Sequence, residues 1–303
     1  MIWLLFAFIG PVSWALSTHI DKYLVDKYFA DSDTAVLMVF TAVVGAAALP
    51  FIWVFEPSVV ALPALTVGVM TASGILYMGA MLFYLRAIQS AEASVVAPLF
   101  QLSVVFTLML GWVLLHERLG WSQIVGVALI VGGALTLSVR PKSFLRAFKA
   151  RLFALMIAAT LVMSLSTVAF KYFAVEDASY WGTTFWTFVG EAVFGTGILI
   201  VPGQWRKFAD LFRRNPGAML GVNAANELIN LGGGLAVRYA TLLAPVALVS
   251  AVSSTTTLFV FLFGILLTLF LPQYGREDLS PANLIRKGAS AALVAAGVFL
   301  AQG

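Results

Sequence analysis

Glu191 and Glu227 are the residues most suited to chemistry, because each stands in the middle of an otherwise apolar stretch, 180–201 and 217–238. An ionisable side chain at a bilayer centre costs about 2.5–3.5 kcal/mol on insertion scales, so it normally turns to a bundle interior and marks a pathway. Both carboxylates have polar company at helical spacing. Asn223, Asn226, Glu227 and Asn230 follow i, i+3, i+4, i+7, which is one helix face. Thr184, Thr187 and Glu191 follow i, i+3, i+7. Two such stripes can line one cavity, as a site for a cationic or hydrogen-bonding solute or as proton-coupling carboxylates. The alternative is polar glue between helices, worth about 1 kcal/mol per contact.

Four basic residues divide between the ends of these stretches. Lys22 and Arg86 fall at one side of the membrane, Lys171 and Arg238 at the other. As electrostatic gates they would break in turn during alternating access; as plain helix-end residues they would snorkel to the headgroups. Thr160, Ser164, Thr167 and Lys171 share a face. Further candidates for a cavity lining are Ser94, Pro98 and Gln101 on one segment and Ser250, Ser253, Ser254 and Thr257 on another. His19 and His116 have no ligand pattern around them and cysteine is absent, so no metal site, disulfide or thiol chemistry is expected. No cofactor is expected. HExxH, GxSxG and GxxxxGK[ST] motifs are missing as well, which speaks against an enzyme and against direct nucleotide drive.

The elements that must position these residues follow from composition. Of 303 residues, 61% are hydrophobic and only 11% charged, with a mean hydropathy of +0.97. A soluble domain carries about 25% charged residues, so the chain belongs in a membrane. Apolar runs and their breakers give ten transmembrane helices: 2–20, 34–55, 62–85, 91–115, 121–139, 152–172, 180–201, 217–238, 243–271 and 284–301. The breakers include PGQWRK at 202–207 and RRNPG at 213–217. The ninth run is long enough to tilt or to extend past the membrane. With no basic residue before Ile2, the first run is expected to be a retained helix rather than a cleaved signal. Trp3, Trp53, Trp121 and Trp205 lie near run ends as interface anchors. Of the 18 lysines and arginines, all but Arg118, Lys171 and Arg238 fall in or beside the loops after odd-numbered helices. Basic loops stay cytoplasmic, which places both termini outside a cell (inner or plasma) membrane. It also accounts for the net charge of +4 without nucleic acid.

LSTHIDKY at 16–23 aligns with LSTVAFKY at 165–172, and Arg86 aligns with Arg238. Residues 1–140 and 152–303 then form two five-helix repeats joined by a basic loop, 141–151. An odd helix count per repeat inverts one against the other, the architecture of many secondary transporters.

YLRAIQSAEASVVAPLFQ at 84–101 and GWVLLHERLGWSQIVGVALIVGG at 111–133, echoed in RYATLLAPVALVSAVSS at 238–254 and LVAAGVFLA at 293–301, resemble the EamA-like branch of the drug/metabolite transporter superfamily. In the second half GREDLS stands where the first has HERL. The resemblance implies two five-helix repeats and export of amino acids or other metabolites. The expected function is secondary transport of a small metabolite, amino-acid-like or cationic, by export or exchange, with protons as a candidate coupling ion. A lipid or lipid-linked head-group flippase is the alternative. Partners are then the solute and the membrane lipids, and ten helices suffice for a monomer to enclose a path.

Overall fold

The computed structural model describes residues 2–28, 34–90, 99–138, 150–176, 178–271 and 280–302, and among them helix is the only regular structure. Ser94, Pro98 and nearly all of the basic loop lie outside the described residues, as does most of GREDLS. In chain order come α1 (Ile2–Tyr28), α2 (Thr34–Phe55) and α3 (Ala64–Ser90), with a 3₁₀ turn at Pro57–Ala61 between the last two. Next are α4 (Leu102–Leu114), α5 (Trp121–Ser138), α6 (Ala150–Glu176) and α7 (Tyr180–Ile200). The chain closes with α8 (Gln204–Arg214), α9 (Ala224–Leu243), α10 (Val246–Ser253), α11 (Thr256–Phe270) and α12 (Pro281–Ala301). Among the described residues seven stretches are long and apolar enough to cross a membrane: 2–24, 38–55, 64–87, 153–176, 180–200, 246–270 and 284–301. α4 and α5 are apolar but shorter.

Large apolar side chains such as Phe55, Trp121, Ile200 and Phe299 are exposed all round the bundle. With lipid outside there is no hydrophobic drive between helices, and close backbone approach at small residues has to hold them instead. Such approaches recur. α5 packs along α12, where a Cβ on Gly126 would sit 2.7 Å from the Gly297 carbonyl and one on Gly297 2.8 Å from the Ile130 nitrogen. Ser290 donates across the same seam to the Gly133 carbonyl at 2.6 Å. α3 crosses α7 where Gly74 meets Thr187 and Gly190 meets Thr71, backbone against backbone. α1 crosses α9 at Gly10, Ser13 and Gly233; Gly232 and Gly234 face open space.

Two segments differ from their sequence reading. The stretch 204–214, read as the connection between two spans with a breaker at each end, is the amphipathic helix α8. Phe208, Leu211 and Phe212 pack it on Leu24 and Phe40, while Arg206, Lys207, Arg213 and Arg214 are exposed. That is the build of a helix lying in a membrane interface. The long ninth run is broken: α9 ends at Leu243, Pro245 starts α10, and a 3₁₀-type turn through Ser254 and Thr255 separates α10 from α11.

Candidate functional site

α9 carries the polar stripe on the face it turns inward. Asn223, Asn226 and Glu227 are buried and Asn230 half-buried, whereas Leu220 and Leu228 on the other face are exposed. A π-helical turn at Ala218–Asn223 precedes the stripe, a device that shifts the helix phase by a residue. α7 brings Glu191 to the same interior. There Arg238 of α9 donates from Nη2 to Glu191 Oε1 at 3.0 Å. The guanidinium lies over the rings of Phe170 and Phe188, at 5.6 and 5.1 Å, so aromatic faces take part of its charge. Gly45 of α2 fronts the Glu191 carboxylate and leaves it room. Glu191 is therefore a compensated charge.

Glu227 is not compensated. Thr41 of α2 donates to its Oε1 at 3.2 Å, and among the described residues no basic side chain pairs with it. Beside it, Asn226 donates from Nδ2 to Asp21 Oδ1 at 2.6 Å, and Ser17 donates to Asp21 Oδ2 at 3.3 Å. Glu227 lies within electrostatic reach of both Asp21 and Glu191. The two stripes thus converge, joined by a carboxylate from α1.

A third constellation closes one end of the bundle. Lys171, at the C-terminal end of α6, meets Glu117 Oε1 at 2.6 Å and donates to the Ala244 carbonyl at 2.8 Å. Glu117 Oε2 accepts the Val246 N–H at 2.9 Å. Ala244 ends α9 and Val246 starts α10, so the pair satisfies one group at each of two adjoining helix termini, which would otherwise lack partners. His116, in the left-handed region at φ 54°, turns the α4–α5 connection so that Glu117 points back. Gly111 lets it close, since a Cβ there would come 2.9 Å from Val246 and 3.0 Å from Glu117 Oε2.

The sequence-based candidates therefore separate. Glu191, Glu227, Asn223, Asn226, Lys171 and Arg238 take part in these constellations or border them, with Asn230 on the same face. Lys22 and Arg86 are exposed at helix ends. Thr187 donates to its own helix at Thr183 and sits in the α3–α7 crossing, a packing position. Thr160 likewise bonds its own helix, and Ser164 reaches the Ser103 carbonyl of α4. Gln101 is buried at the start of α4, and Ser253 ends α10 with its hydroxyl buried and unpartnered. His19 rests against the Val260 carbonyl at 2.8 Å, tying α1 to α11. No group of three or more His, Cys, Asp or Glu able to hold a metal occurs among the described residues.

Sequence reasoning missed Asp21, Thr41 and the pairing role of Glu117. Asp21 lies just beyond the first apolar run, beside Lys22, and reads as a solvated end charge. One signal was available: Ser17 and Asp21 stand at i, i+4 on one face.

Membrane-length helices that hold carboxylates, an arginine and a lysine within the bundle define a multi-pass membrane protein of transporter character. Residues 1–139 match the EamA-like transporter family. No curated protein matches the chain. A solved structure, described only as the crystal structure of a protein, is similar at 17% identity with a TM-score of 0.65. The likeness covers 99% of this chain and 97% of that one, and it speaks to the fold alone.

Proposed function

We propose that the protein is a secondary active transporter, not an enzyme, moving a small amino-acid-like or cationic metabolite by alternating access, in export or exchange. The observation that carries this reading is Glu227: a buried carboxylate without a cation among the described residues, facing a compensated Glu191–Arg238 pair across one interior. Polar glue would end in mutual satisfaction; a transport site keeps an unmet charge for its solute.

A ten-helix, two-repeat reading of the bundle supports the mechanism. Take α1 to α7 as helices one to seven, α9 as eight, α10 with α11 as nine, and α12 as ten. Exchanging each helix with its counterpart five along maps the packing pairs two–seven and five–ten onto themselves. It also maps one–eight onto three–six, and four–six onto one–nine, and all of these are contacts of the bundle. One corresponding pair of crossings differs in closeness. Helices three and seven cross backbone to backbone at Gly74 and Gly190, while their counterparts, eight and two, meet through the Thr41–Glu227 hydrogen bond. A closed crossing opposite a looser one is what an inverted-repeat carrier presents in one of its two states. On this reading Lys171–Glu117 and Arg238–Glu191 hold the closed side, and the exposed Lys22 and Arg86 belong to the other. Protons are a candidate coupling ion through Glu227. The cleft between α1, α11 and α12, lined by Phe8, Leu258, Phe259 and Val298 with few polar groups, offers a head group little, so flippase activity is the weaker reading.

The test is reconstitution. A thermal-shift screen of amino acids, amines, nucleosides and sugars supplies ligands, since about 100 times the Kd stabilises by about 2.7 kcal/mol. Uptake of each hit into proteoliposomes follows, for wild type and Glu227→Gln. Transport is expected to be lost in the variant at normal folded yield. Unchanged uptake would reduce Glu227 to a packing residue and remove the basis of the proposal.

A further inference from the structure

Around Glu227 acceptors outnumber donors. Asn226 is completely buried, and its Oδ1 has no hydrogen-bond partner. Turning the amide over would set that oxygen against Asp21 Oδ1 at 2.6 Å, acceptor facing acceptor, so the nitrogen must face Asp21 and the oxygen must face elsewhere. Asp21 takes Asn226 Nδ2 on one oxygen and a long bond from Ser17 on the other. Glu227 takes only Thr41, on Oε1. The donors present, Ser17, Thr41 and the Asn226 amide nitrogen, are already aimed at these carboxylates. What remains is two carboxylates and an orphaned amide oxygen on neighbouring side chains of α1 and α9, with Thr41 of α2 beside them. A buried polar atom without a partner asks for a ligand or an unseen partner, and here it can be met only by a donor.

We propose that Asp21, Asn226 and Glu227 form the head-group subsite of the solute. It binds a protonated amine or guanidinium with at least two N–H donors, one for a carboxylate and one for Asn226 Oδ1. This rests on the transporter reading for the idea that the occupant is the carried solute; the subsite itself is a binding claim. It gives a specificity beyond charge. A quaternary ammonium answers the carboxylates but has no hydrogen for Asn226, so primary amines and guanidines bind and quaternary ammonium ions of the same length are rejected. Anions are excluded by the paired carboxylates. Asp21 is exposed, so it is the first of the three that an entering cation meets.

Butylammonium and butyltrimethylammonium have the same charge and the same tail, and sodium chloride is the third probe. Binding of each to the purified full-length protein in detergent is measured by thermal shift and calorimetry, with wild type, Asp21→Asn, Glu227→Gln and Asn226→Ala. Butylammonium is expected to bind wild type at least tenfold more tightly than its quaternary analogue and to resist competition by sodium. Asp21→Asn and Glu227→Gln should each weaken it by tenfold or more. Asn226→Ala should bring the two ions within about threefold of each other, a readout that a merely structural role would not produce. Equal affinity for both ions in wild type, displacement by sodium, or indifference to all three substitutions in monodisperse protein would overturn the proposal. Binding with the expected selectivity but no uptake of any bound solute into liposomes would fail the transporter reading alone. Uptake of a solute that ignores the three substitutions would fail the subsite alone.

Discussion

Glu117 lets the closed end be tested in energy. Its side chain is 13% exposed and that of Lys171 16%, so the pair is mostly withdrawn from solvent without being sealed. Fully burying such a pair and then breaking it costs about 3–5 kcal/mol, while exposed pairs are worth about 0–1 kcal/mol. The exposure puts the charge part near 1.5 kcal/mol. Glu117→Ala also orphans the Val246 N–H, for which about 1 kcal/mol is reasonable. The total, about 2.5 kcal/mol, corresponds to a fall of about 5 °C in melting temperature if a chain of this size loses about 2 °C per kcal/mol. Lys171→Met keeps the length of the side chain and removes its charge, leaving Glu117 with Val246 alone. The assay is a double-substitution cycle read by thermal unfolding in detergent. The expected coupling between Glu117→Ala and Lys171→Met is about 1.5 kcal/mol, with the double variant more stable than the sum of the singles implies. A coupling below about 0.5 kcal/mol would refute the latch and leave the 2.6 Å contact as a surface ion pair.

The remaining expectations concern the rest of the bundle. Arg238→Met leaves Glu191 buried without its cation and should cost about 3–5 kcal/mol; combining it with Glu191→Gln should restore most of that, and a double variant no better than the single would show that the pair is not the cause. Gly126→Val drives a side chain into the Gly297 backbone, which cannot move aside, so folded yield on size exclusion should fall sharply, whereas Gly132→Val, with open space around it, should behave as wild type. A phosphatase fused to the C-terminus should be active on the outer side of the membrane if the bias of basic residues sets the topology, and an inactive one would invert the orientation.

The polar face of α9 was legible because a helix repeats every 3.6 residues and three asparagines and a glutamate kept that period. Membrane residence and most spans were legible for an equally simple reason, the length of the apolar runs. What stayed hidden depends on distance along the chain. Glu117 meets Lys171 across 54 positions and Asn226 meets Asp21 across 205, and no local pattern encodes such meetings. α8 was hidden by its length: eleven residues with glycine and proline on either side read as the connection between two spans, although Phe208, Leu211 and Phe212 mark its buried face. The break inside the ninth run falls at Ser254 and Thr255, well past Pro245, which only opens that run. Apolar residues on both sides masked it.

Charge sorting inside the bundle ties these features together. Lys171 and Arg238 each meet a carboxylate from another part of the chain, Glu117 in the α4–α5 connection and Glu191 on α7. Holding a cation among apolar helices without such a partner is unfavourable by several kcal/mol, so each pair has a structural reason whatever the protein carries. Asp21 and Glu227 satisfy no such requirement. Replacing Asp21 by asparagine and Glu227 by glutamine would remove one exposed and one buried charge and keep side chains of the same size. Stability alone gives no reason for the buried charge of Glu227, and a solute that enters the interior bearing positive charge would supply one. The stability of Asp21→Asn and Glu227→Gln decides the matter. Variants as stable as wild type or more so, yet inactive, fit a solute site; variants that fail to fold would make the two carboxylates part of the frame.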